Sequence, residues 1–152
     1  MGLDTVVVAV GSGDEDRLEE IVETATDLAG PAGAAIKLVH VFETDEYDRI
    51  RDQLDIDADD EVSPDEVAKR HVTIRKLGDA MDAAGLTHSW HGRISDADDQ
   101  GAEIVTAASD LGADLLVVGG RRRSPTGKAV FGSTAQDVML NATCPVTFVR
   151  AD

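Results

Sequence analysis

Five short apolar segments, separated by segments with the apolar spacing of helices, constrain the fold of this chain most strongly. The predicted strands cover residues 5–10, 35–42, 88–94, 115–118 and 145–149. The first, second and fourth are almost entirely apolar, so both of their faces must be covered by other elements. Strands of this kind alternating with helices predict an α/β fold, an open, five-stranded, mostly parallel, doubly wound sheet with helices on both faces and right-handed crossovers.

Helix start and stop signals lie between these strands. The first helix is predicted to begin at Asp14 and to stop at Gly30 and Pro31. A capping box with a proline at the first helical position, residues 63–66, predicts the start of a second helix that runs to Gly85. The remaining helices are predicted over residues 104–111 and 133–140.

The length of 152 residues is close to the most common size of one domain, so we expect a single domain over residues 1–152. The chain has no apolar run long enough to span a membrane and no amino-terminal leader pattern, which predicts a cytoplasmic protein. Cys144 is the only cysteine and cannot form an intramolecular disulfide.

The charge is strongly negative, with 30 acidic residues, 14 basic residues and a formal net charge of −16. DNA is therefore not an expected partner. Such a charge keeps a surface hydrated in concentrated salt, and the excess of Asp over Glu and of Arg over Lys also favours a halophilic source. The alternative is an ordinary acidic protein with one charged segment. Residues 43–62 carry half of the net charge and are predicted to form an acidic insertion at the periphery of the sheet.

Residues 55–66 place acidic or hydroxyl side chains at several ligand positions of a calcium-binding loop. Asp60 occupies the position that such loops give to glycine, and Ser63 and Glu66 are equally well explained as a capping box. The capping interpretation is favoured over a calcium site.

The loop after the fourth predicted strand, residues 119–134, is the main candidate binding site. In this acidic chain, residues 120–130 contain no acid and four bases, which are Arg121, Arg122, Arg123 and Lys128. Gly132, Ser133 and Thr134 then open a helix, whose free backbone N–H groups and dipole attract anions. An anion site is favoured over the alternative, in which Ser133 only caps the helix and the arginines pair with the protein's own carboxylates.

Other binding motifs are incomplete. The basic loop does not satisfy the Walker A pattern, and the dinucleotide pattern fails after the first strand, where Asp16 stands in place of the third glycine. His88 and His91 fall on opposite faces of a strand, so they are unsuited to share a metal ion and are expected to be surface residues. His40 is expected to be a core histidine with satisfied hydrogen bonds. No metal site is predicted.

The sequence resembles the universal stress protein family across essentially the whole chain. The resemblance lies in VVVAV, VHVF, DLLVVGG and GKAVFGSTAQDVMLNATCPVTFV, and it implies the strand order 3-2-1-4-5. Nucleotide-binding members of that family carry G-x2-G-x9-G-[ST] after the fourth strand. Here Gly119 and the Gly132-Ser133 pair match this pattern, whereas Arg122 replaces its middle glycine. At the end of the first strand, Gly11 stands where binding members usually have an aspartate.

The resemblance implies an adenine nucleotide site, with ATP as the favoured ligand and Mg²⁺ present only if ATP is bound. The residues expected to form it are Ala9, Val10, Gly11, Ser12, Val41, Val118, Gly119, Arg121, Arg122, Lys128, Gly132, Ser133, Thr134 and Ala135. Ser12 could take the place of the absent aspartate through a water molecule. Arg122 either blocks the pocket or binds the phosphates, and its basic neighbours favour phosphate binding.

Three functions follow as hypotheses. The favoured one is a cytoplasmic stress-response protein that binds a nucleotide and signals to an unidentified protein partner as a homodimer, formed by pairing of the last strand at Val146 to Val149. The alternative is a dimeric interaction module that binds no nucleotide. An enzyme is less favoured because the sequence shows no catalytic constellation, so any ATPase activity is expected to be weak.

Overall fold

The computed structural model describes residues 2–53, 63–96, 99–121 and 133–151. Its five strands form one all-parallel sheet in the order β3-β2-β1-β4-β5, which confirms the predicted fold class and strand order. The strands are β1 (Thr5–Ala9), β2 (Ala35–Glu43), β3 (His88–Ser95), β4 (Leu115–Arg121) and β5 (Val146–Ala151).

In the described residues, six α-helices and the 3-10 helix after β1 connect the strands. The α-helices are α1 (Leu18–Ala32), α2 (Thr44–Gln53), α3 (Pro64–Lys69), α4 (Val72–Ala83), α5 (Gln100–Asp110) and α6 (Ser133–Asn141), and the 3-10 helix covers Ser12–Arg17. On one face of the sheet, the core includes Ile21 from α1 and Leu77 from α4. On the other face it includes Ala107 from α5 and Val138 from α6. Helices therefore cover both faces, as the apolar strands require.

The first helix differs from its prediction at both ends. The chain after β1 forms the 3-10 helix before α1 begins at Leu18, and α1 continues through Pro31 to Ala32. Pro31 lies in the last turn, so the hydrogen bond lost with its N–H group and the crowding by its ring fall at the end of the helix and do not interrupt its middle. The helix ends at Gly33, whose φ of 66° lies in the left-handed region and whose N–H donates to the Gly30 carbonyl.

The single helix predicted from residue 64 to Gly85 is wrong, because the chain forms α3 and α4 with a break between them. The predicted cap of α3 is confirmed, since the Glu66 N–H donates to Ser63 Oγ at 3.3 Å. The break is at Arg70 and His71, and His71 has extended backbone angles (φ −68°, ψ 134°) just before α4. This conformation places the His71 ring against the end of β2.

The fourth strand is longer than predicted, because Gly119 and Gly120 continue to pair with β5 instead of leaving the sheet. A glycine is needed inside the strand because a Cβ on Gly120 would overlap the Phe148 ring.

The acidic segment 43–62 is helical in its first half. Glu43 is the last residue of β2, and α2 follows directly. Tyr47 on α2 is buried with Phe42, Val67 and Ala68 in a small cluster of its own. The rest of the segment, residues 54–62, lies outside the described residues, and with it residues 55–62 of the calcium-loop hypothesis.

Candidate functional site

The candidate site lies at the carboxyl ends of β1 and β4. In the order β3-β2-β1-β4-β5, β1 pairs with β2 on one side and with β4 on the other. The chain continues from β1 to β2, so the direction of winding reverses between β1 and β4. Ligands of doubly wound sheets bind outside the carboxyl ends of the strands at such a switch point. Ala9 is the register partner of Val118, so the first strand brings Val10 and Gly11 beside Gly119 at this edge.

Asp14 is a buried acid at this edge. The 3-10 helix turns the chain back, so that the Gly11 N–H donates to Asp14 Oδ2 at 2.8 Å. The Arg17 Nε donates to Asp14 Oδ1 at 2.6 Å, and the side chains of this ion pair are only 11% and 13% exposed. A carboxylate therefore lies against Gly11, although Gly11 itself has no side chain.

Gly119 lies directly against this ion pair. A Cβ added to Gly119 would lie 2.8 Å from Asp14 Oδ1 and 3.0 Å from Arg17 Nε. Because Gly119 has no side chain, the side chains of Asp14 and Arg17 can pack directly against it. The first glycine of the predicted phosphate motif packs against the protein's own charged side chains in this structure.

Several predicted site residues belong to the apolar core near this edge. Ala9, Val41 and Val118 are each about 5% to 6% exposed and pack in one cluster with residues of α5 and α6. Val10 is equally buried but packs on the opposite face of the sheet. The structure therefore places the expected walls of the base beside the strand ends, within the packed core.

The predicted phosphate-binding helix is α6, which begins at Ser133 as expected. Thr134 in its first turn is half-buried and Ala135 is buried. Arg121 closes β4, and the backbone of Ser12 opens the 3-10 helix. Arg122, Lys128 and Gly132 lie outside the described residues.

A second polar cluster, formed by His40, Glu46 and His71, lies at the carboxyl end of β2. His40 is 3% exposed, and its Nδ1 lies 2.7 Å from the Val10 carbonyl oxygen, so the prediction of a buried, hydrogen-bonded histidine is confirmed. Its Nε2 lies 3.3 Å from Glu46 Oε1, and its ring stacks on His71 with centroids 4.3 Å apart.

The charge environment of Glu46 reflects these contacts. Partial burial raises the pKa of its carboxyl, but the contact with His40, the backbone N–H of Glu43 and the nearby His71 together lower that pKa below its usual value. The cluster therefore favours the carboxylate form of Glu46.

Sequence reasoning missed both the ion pair and the histidine cluster. The spacing of Gly11 and Asp14 is a usable signal for the first, because an acid three residues after an N-cap commonly accepts the N-cap N–H. His40, Glu46 and His71 come from a strand, a helix and a break between two helices, and no local pattern joins them. His88 was also misjudged as a surface residue, since its side chain is only 5% exposed.

Within the described parts of the chain, none of the helices is long and apolar enough to cross a membrane. The sheet order and the helices on both faces define a doubly wound α/β protein of the Rossmann-like type. A model of the universal stress protein family matches residues 2–150, and the chain belongs to that family.

Individual relatives agree with this assignment. A universal stress protein from Archaeoglobus fulgidus has a similar structure with a TM-score of 0.65 and 30% identity, covering 96% of this chain and 98% of that one. A universal stress protein from Mycolicibacterium smegmatis is 44% identical over 48 residues, which are 32% of this chain and 37% of that relative's length.

Two further solved structures share the fold at 21% identity. One is a universal stress protein in complex with cAMP, with a TM-score of 0.68 and full coverage of both chains. The other is a universal stress protein from Archaeoglobus fulgidus in complex with dAMP, with a TM-score of 0.67, covering 98% of this chain and 99% of that one.

Proposed function

We propose that this chain is a cytoplasmic stress-response protein that binds an adenine nucleotide at the carboxyl ends of β1 and β4. The family and the cAMP and dAMP complexes of similar structures support an adenine nucleotide as the ligand class. ATP is the favoured nucleotide, and Mg²⁺ would accompany it only as a partner of the phosphates. Catalytic turnover is not part of this proposal.

The burial of Asp14 beside Gly11 is the observation that carries the proposal. Universal stress proteins that bind nucleotides usually have an aspartate at the end of the first strand, where this chain has Gly11. Here Asp14 from the 3-10 helix accepts the Gly11 N–H and brings a carboxylate to the end of β1. A carboxylate at the end of β1 accepts hydrogen bonds from ribose hydroxyls or from the exocyclic amine of adenine. Asp14 therefore takes the role that Gly11 cannot perform.

The phosphates would lie between Gly119 and the first turn of α6. Backbone N–H groups at a helix amino terminus attract phosphate, and Thr134 adds a hydroxyl donor. Arg17 supplies a guanidinium at the same edge and would exchange its bond with Asp14 for one with the ligand. Arg121 at the end of β4, and Arg122 and Lys128 in the sequence after it, would add positive charge.

Nucleotide binding is tested by purifying the protein in high salt, denaturing it and identifying any released nucleotide by chromatography. A thermal-shift titration with ATP accompanies this measurement. We expect a bound adenine nucleotide or a saturable rise in Tm, and a smaller rise when Arg122 and Lys128 are both changed to Ala. Asp110→Asn, an exposed acid at the end of α5, is the matched control and should respond like the wild type.

A second function, a dimeric interaction module that binds no nucleotide, is favoured by one specific observation. Asp14 and Arg17 already satisfy each other in the space over Gly119, where a nucleotide would have to enter. If no nucleotide is released and ATP leaves Tm unchanged at every concentration, this second function is supported and the first is rejected.

The assembly we propose is a homodimer that pairs through β5. This strand lies at one edge of the sheet, so one row of its backbone N–H and C=O groups has no neighbouring strand within the sheet. Light scattering should give twice the chain mass of 16.1 kDa, and Thr147→Lys should shift the protein toward the monomer. A wild-type mass of one chain would reject this assembly.

The net charge of −16 supports a further part of the proposal, that the protein works at high salt. Salt screens repulsion among the surplus carboxylates, so the folded state should gain stability as salt increases. Thermal unfolding in increasing KCl measures this effect. A Tm that does not rise with KCl would contradict a halophilic adaptation.

A further inference from the structure

The cluster of His40, Glu46 and His71 combines three groups that commonly bind metal ions. His40 comes from β2, Glu46 from the first turn of α2, and His71 from the break before α4. One ligand atom from each residue lies within 4.8 Å of the others. His40 is buried, and the other two residues are half-buried, so the cluster lies below the surface yet within reach of solvent.

The hydrogen bond of His40 to the backbone fixes its tautomer. A carbonyl oxygen only accepts hydrogen bonds, so Nδ1, 2.7 Å from the Val10 carbonyl oxygen, must carry a proton. In the neutral ring, Nε2 then presents a lone pair. A backbone carbonyl that orients a histidine in this way is the usual outer partner of a metal-bound imidazole.

On the other side of the ring, Nε2 lies 3.3 Å from Glu46 Oε1. A neutral imidazole with its proton on Nδ1 and a Glu46 carboxylate would therefore present acceptors to each other. Two acceptors at this distance repel each other unless a positive charge lies between them. That charge is either a proton on Nε2 or a metal ion shared by the two residues.

We propose that His40 Nε2, the Glu46 carboxylate and His71 bind one divalent transition-metal ion, preferably Zn²⁺, at the carboxyl end of β2. Two imidazoles and one carboxylate suit Zn²⁺, whereas Mg²⁺ and Ca²⁺ prefer oxygen ligands throughout. With three protein ligands, a tetrahedral ion keeps its fourth position for water or another small ligand.

The distances require a modest rearrangement. Ligand atoms on a tetrahedral Zn²⁺ lie about 3.3 Å apart, given metal–ligand distances of about 2.0 to 2.1 Å. His40 Nε2 and Glu46 Oε1 already have this separation. The His71 ring is stacked on His40 with an interplanar angle of 26°, so it must rotate to direct a ring nitrogen at the ion. Since His71 lies between α3 and α4, its side chain can move without unwinding either helix.

The same Val10 carbonyl connects the cluster to the nucleotide site proposed above. Val10 is the last residue before Gly11, and it also donates its N–H to Val39 at 2.9 Å. The metal proposal nevertheless rests only on the three side chains and is independent of nucleotide binding.

The test is a calorimetric titration of Zn²⁺ into full-length protein that has been treated with a chelator and dialysed in high salt with excess Mg²⁺. Mg²⁺ occupies the many surface carboxylates, so that the titration reports a selective site. We expect one Zn²⁺ per chain and a rise in Tm. Replacement of Zn²⁺ by Co²⁺ should give the visible absorption bands of a tetrahedral site.

Two variants test whether Glu46 and His71 bind the Zn²⁺ ion. Glu46→Gln and His71→Gln should each weaken Zn²⁺ binding at least tenfold, while circular dichroism shows that both remain folded. The matched control is His91→Gln, a half-buried histidine on β3 that contacts Ser89 and lies outside the cluster. It should bind Zn²⁺ like the wild type.

Three results would overturn the proposal. One is the absence of saturable Zn²⁺ binding by the wild type, which would leave a proton on His40 Nε2 as the positive charge. Another is Zn²⁺ affinity that is unchanged in both Glu46→Gln and His71→Gln. The third is an equal loss in His91→Gln, which would place the ion elsewhere.

Discussion

Two polar clusters lie at the same edge of the sheet and differ in how their charges are balanced. At β1 and β4, the carboxylate of Asp14 accepts from Arg17 Nε and from the Gly11 N–H, so every charged partner is already matched. At β2, His40 Nδ1 contacts the Val10 carbonyl oxygen, and its Nε2 lies 3.3 Å from Glu46 Oε1. The first cluster is complete without a ligand and must open to bind one, whereas the second requires a proton or a metal ion.

The two regions also differ in the kind of atoms that pack against their glycines. Gly119 packs against the ends of the Asp14 and Arg17 side chains, which can move aside. Gly92 on β3 packs against the backbone of Pro64 at the start of α3, and its N–H donates to Asp65 Oδ1 at 2.8 Å. Beside the histidine cluster, β3 and α3 therefore meet backbone to backbone, whereas Gly119 meets side chains.

The largest effect is expected from Gly92→Ala. The new Cβ would overlap the Pro64 carbonyl, and neither backbone can yield without shifting α3 or β3. The free energy of unfolding should fall by about 2 to 3 kcal/mol in urea unfolding. Gly30→Ala is the control, because a Cβ at this helical position meets no atom within 4 Å and should be neutral or stabilising. An equal loss in both variants would contradict this interpretation.

A smaller loss is expected from Asp14→Ala. This change leaves the Gly11 N–H and the Arg17 guanidinium without their acceptor and should cost about 1 to 3 kcal/mol of unfolding free energy. Asp14→Asn should cost less, because its amide oxygen still accepts from Gly11. Asp16→Asn, an exposed acid in the same 3-10 helix, is the control and should change stability by less than about 0.5 kcal/mol.

A still smaller loss is expected from Gly119→Ala. The added Cβ meets Asp14 Oδ1 and Arg17 Nε, which are side-chain atoms that can shift, so the cost should be about 1 kcal/mol. Urea unfolding of Gly119→Ala beside Gly92→Ala tests the difference between the two regions. A larger cost at Gly119 would show that the ion pair is the more rigid cluster.

The smallest expected effect is the pH dependence that Glu46 contributes. Its pKa is lowered in the folded protein, so the unfolded chain binds more protons in acid, and this stabilisation is present above the usual value of 4.5 and lost as pH falls through the folded pKa. Solvent screening at this half-buried residue keeps the contribution below about 1 kcal/mol. Glu46→Gln should therefore reduce the loss of stability between pH 5 and pH 3, as measured by urea unfolding at each pH. If Glu46→Gln loses as much unfolding free energy as the wild type between pH 5 and pH 3, this contribution is excluded.

The doubly wound sheet and most elements could be predicted because the apolar runs of β1, β2 and β4 are almost uninterrupted and leave few arrangements with both faces covered. The strand order was predicted from the resemblance to the universal stress protein family. The ends of the strands and helices were harder to predict. Two glycines in sequence suggested a turn at Gly119 and Gly120, but only the packed structure shows that the Phe148 ring requires the space at residue 120.

The two polar clusters were not predicted from the sequence, for a different reason. Gly11 suggested the loss of an acid, because the sequence does not show that the 3-10 helix brings the Asp14 carboxylate against the Gly11 N–H. His71 was hidden inside a predicted continuous helix, and only the break between α3 and α4 brings it against His40. Contacts between distant elements depend on tertiary packing, which local patterns do not encode.

The most direct test of the central claim, that the β1–β4 edge binds an adenine nucleotide through Asp14, is calorimetric titration of ATP into the wild type, Asp14→Asn and Glu46→Gln in high salt. We predict one ATP per chain, at least tenfold weaker binding by Asp14→Asn, and wild-type affinity for Glu46→Gln. ATP affinity that is absent from the wild type, or unchanged in Asp14→Asn, would contradict the claim.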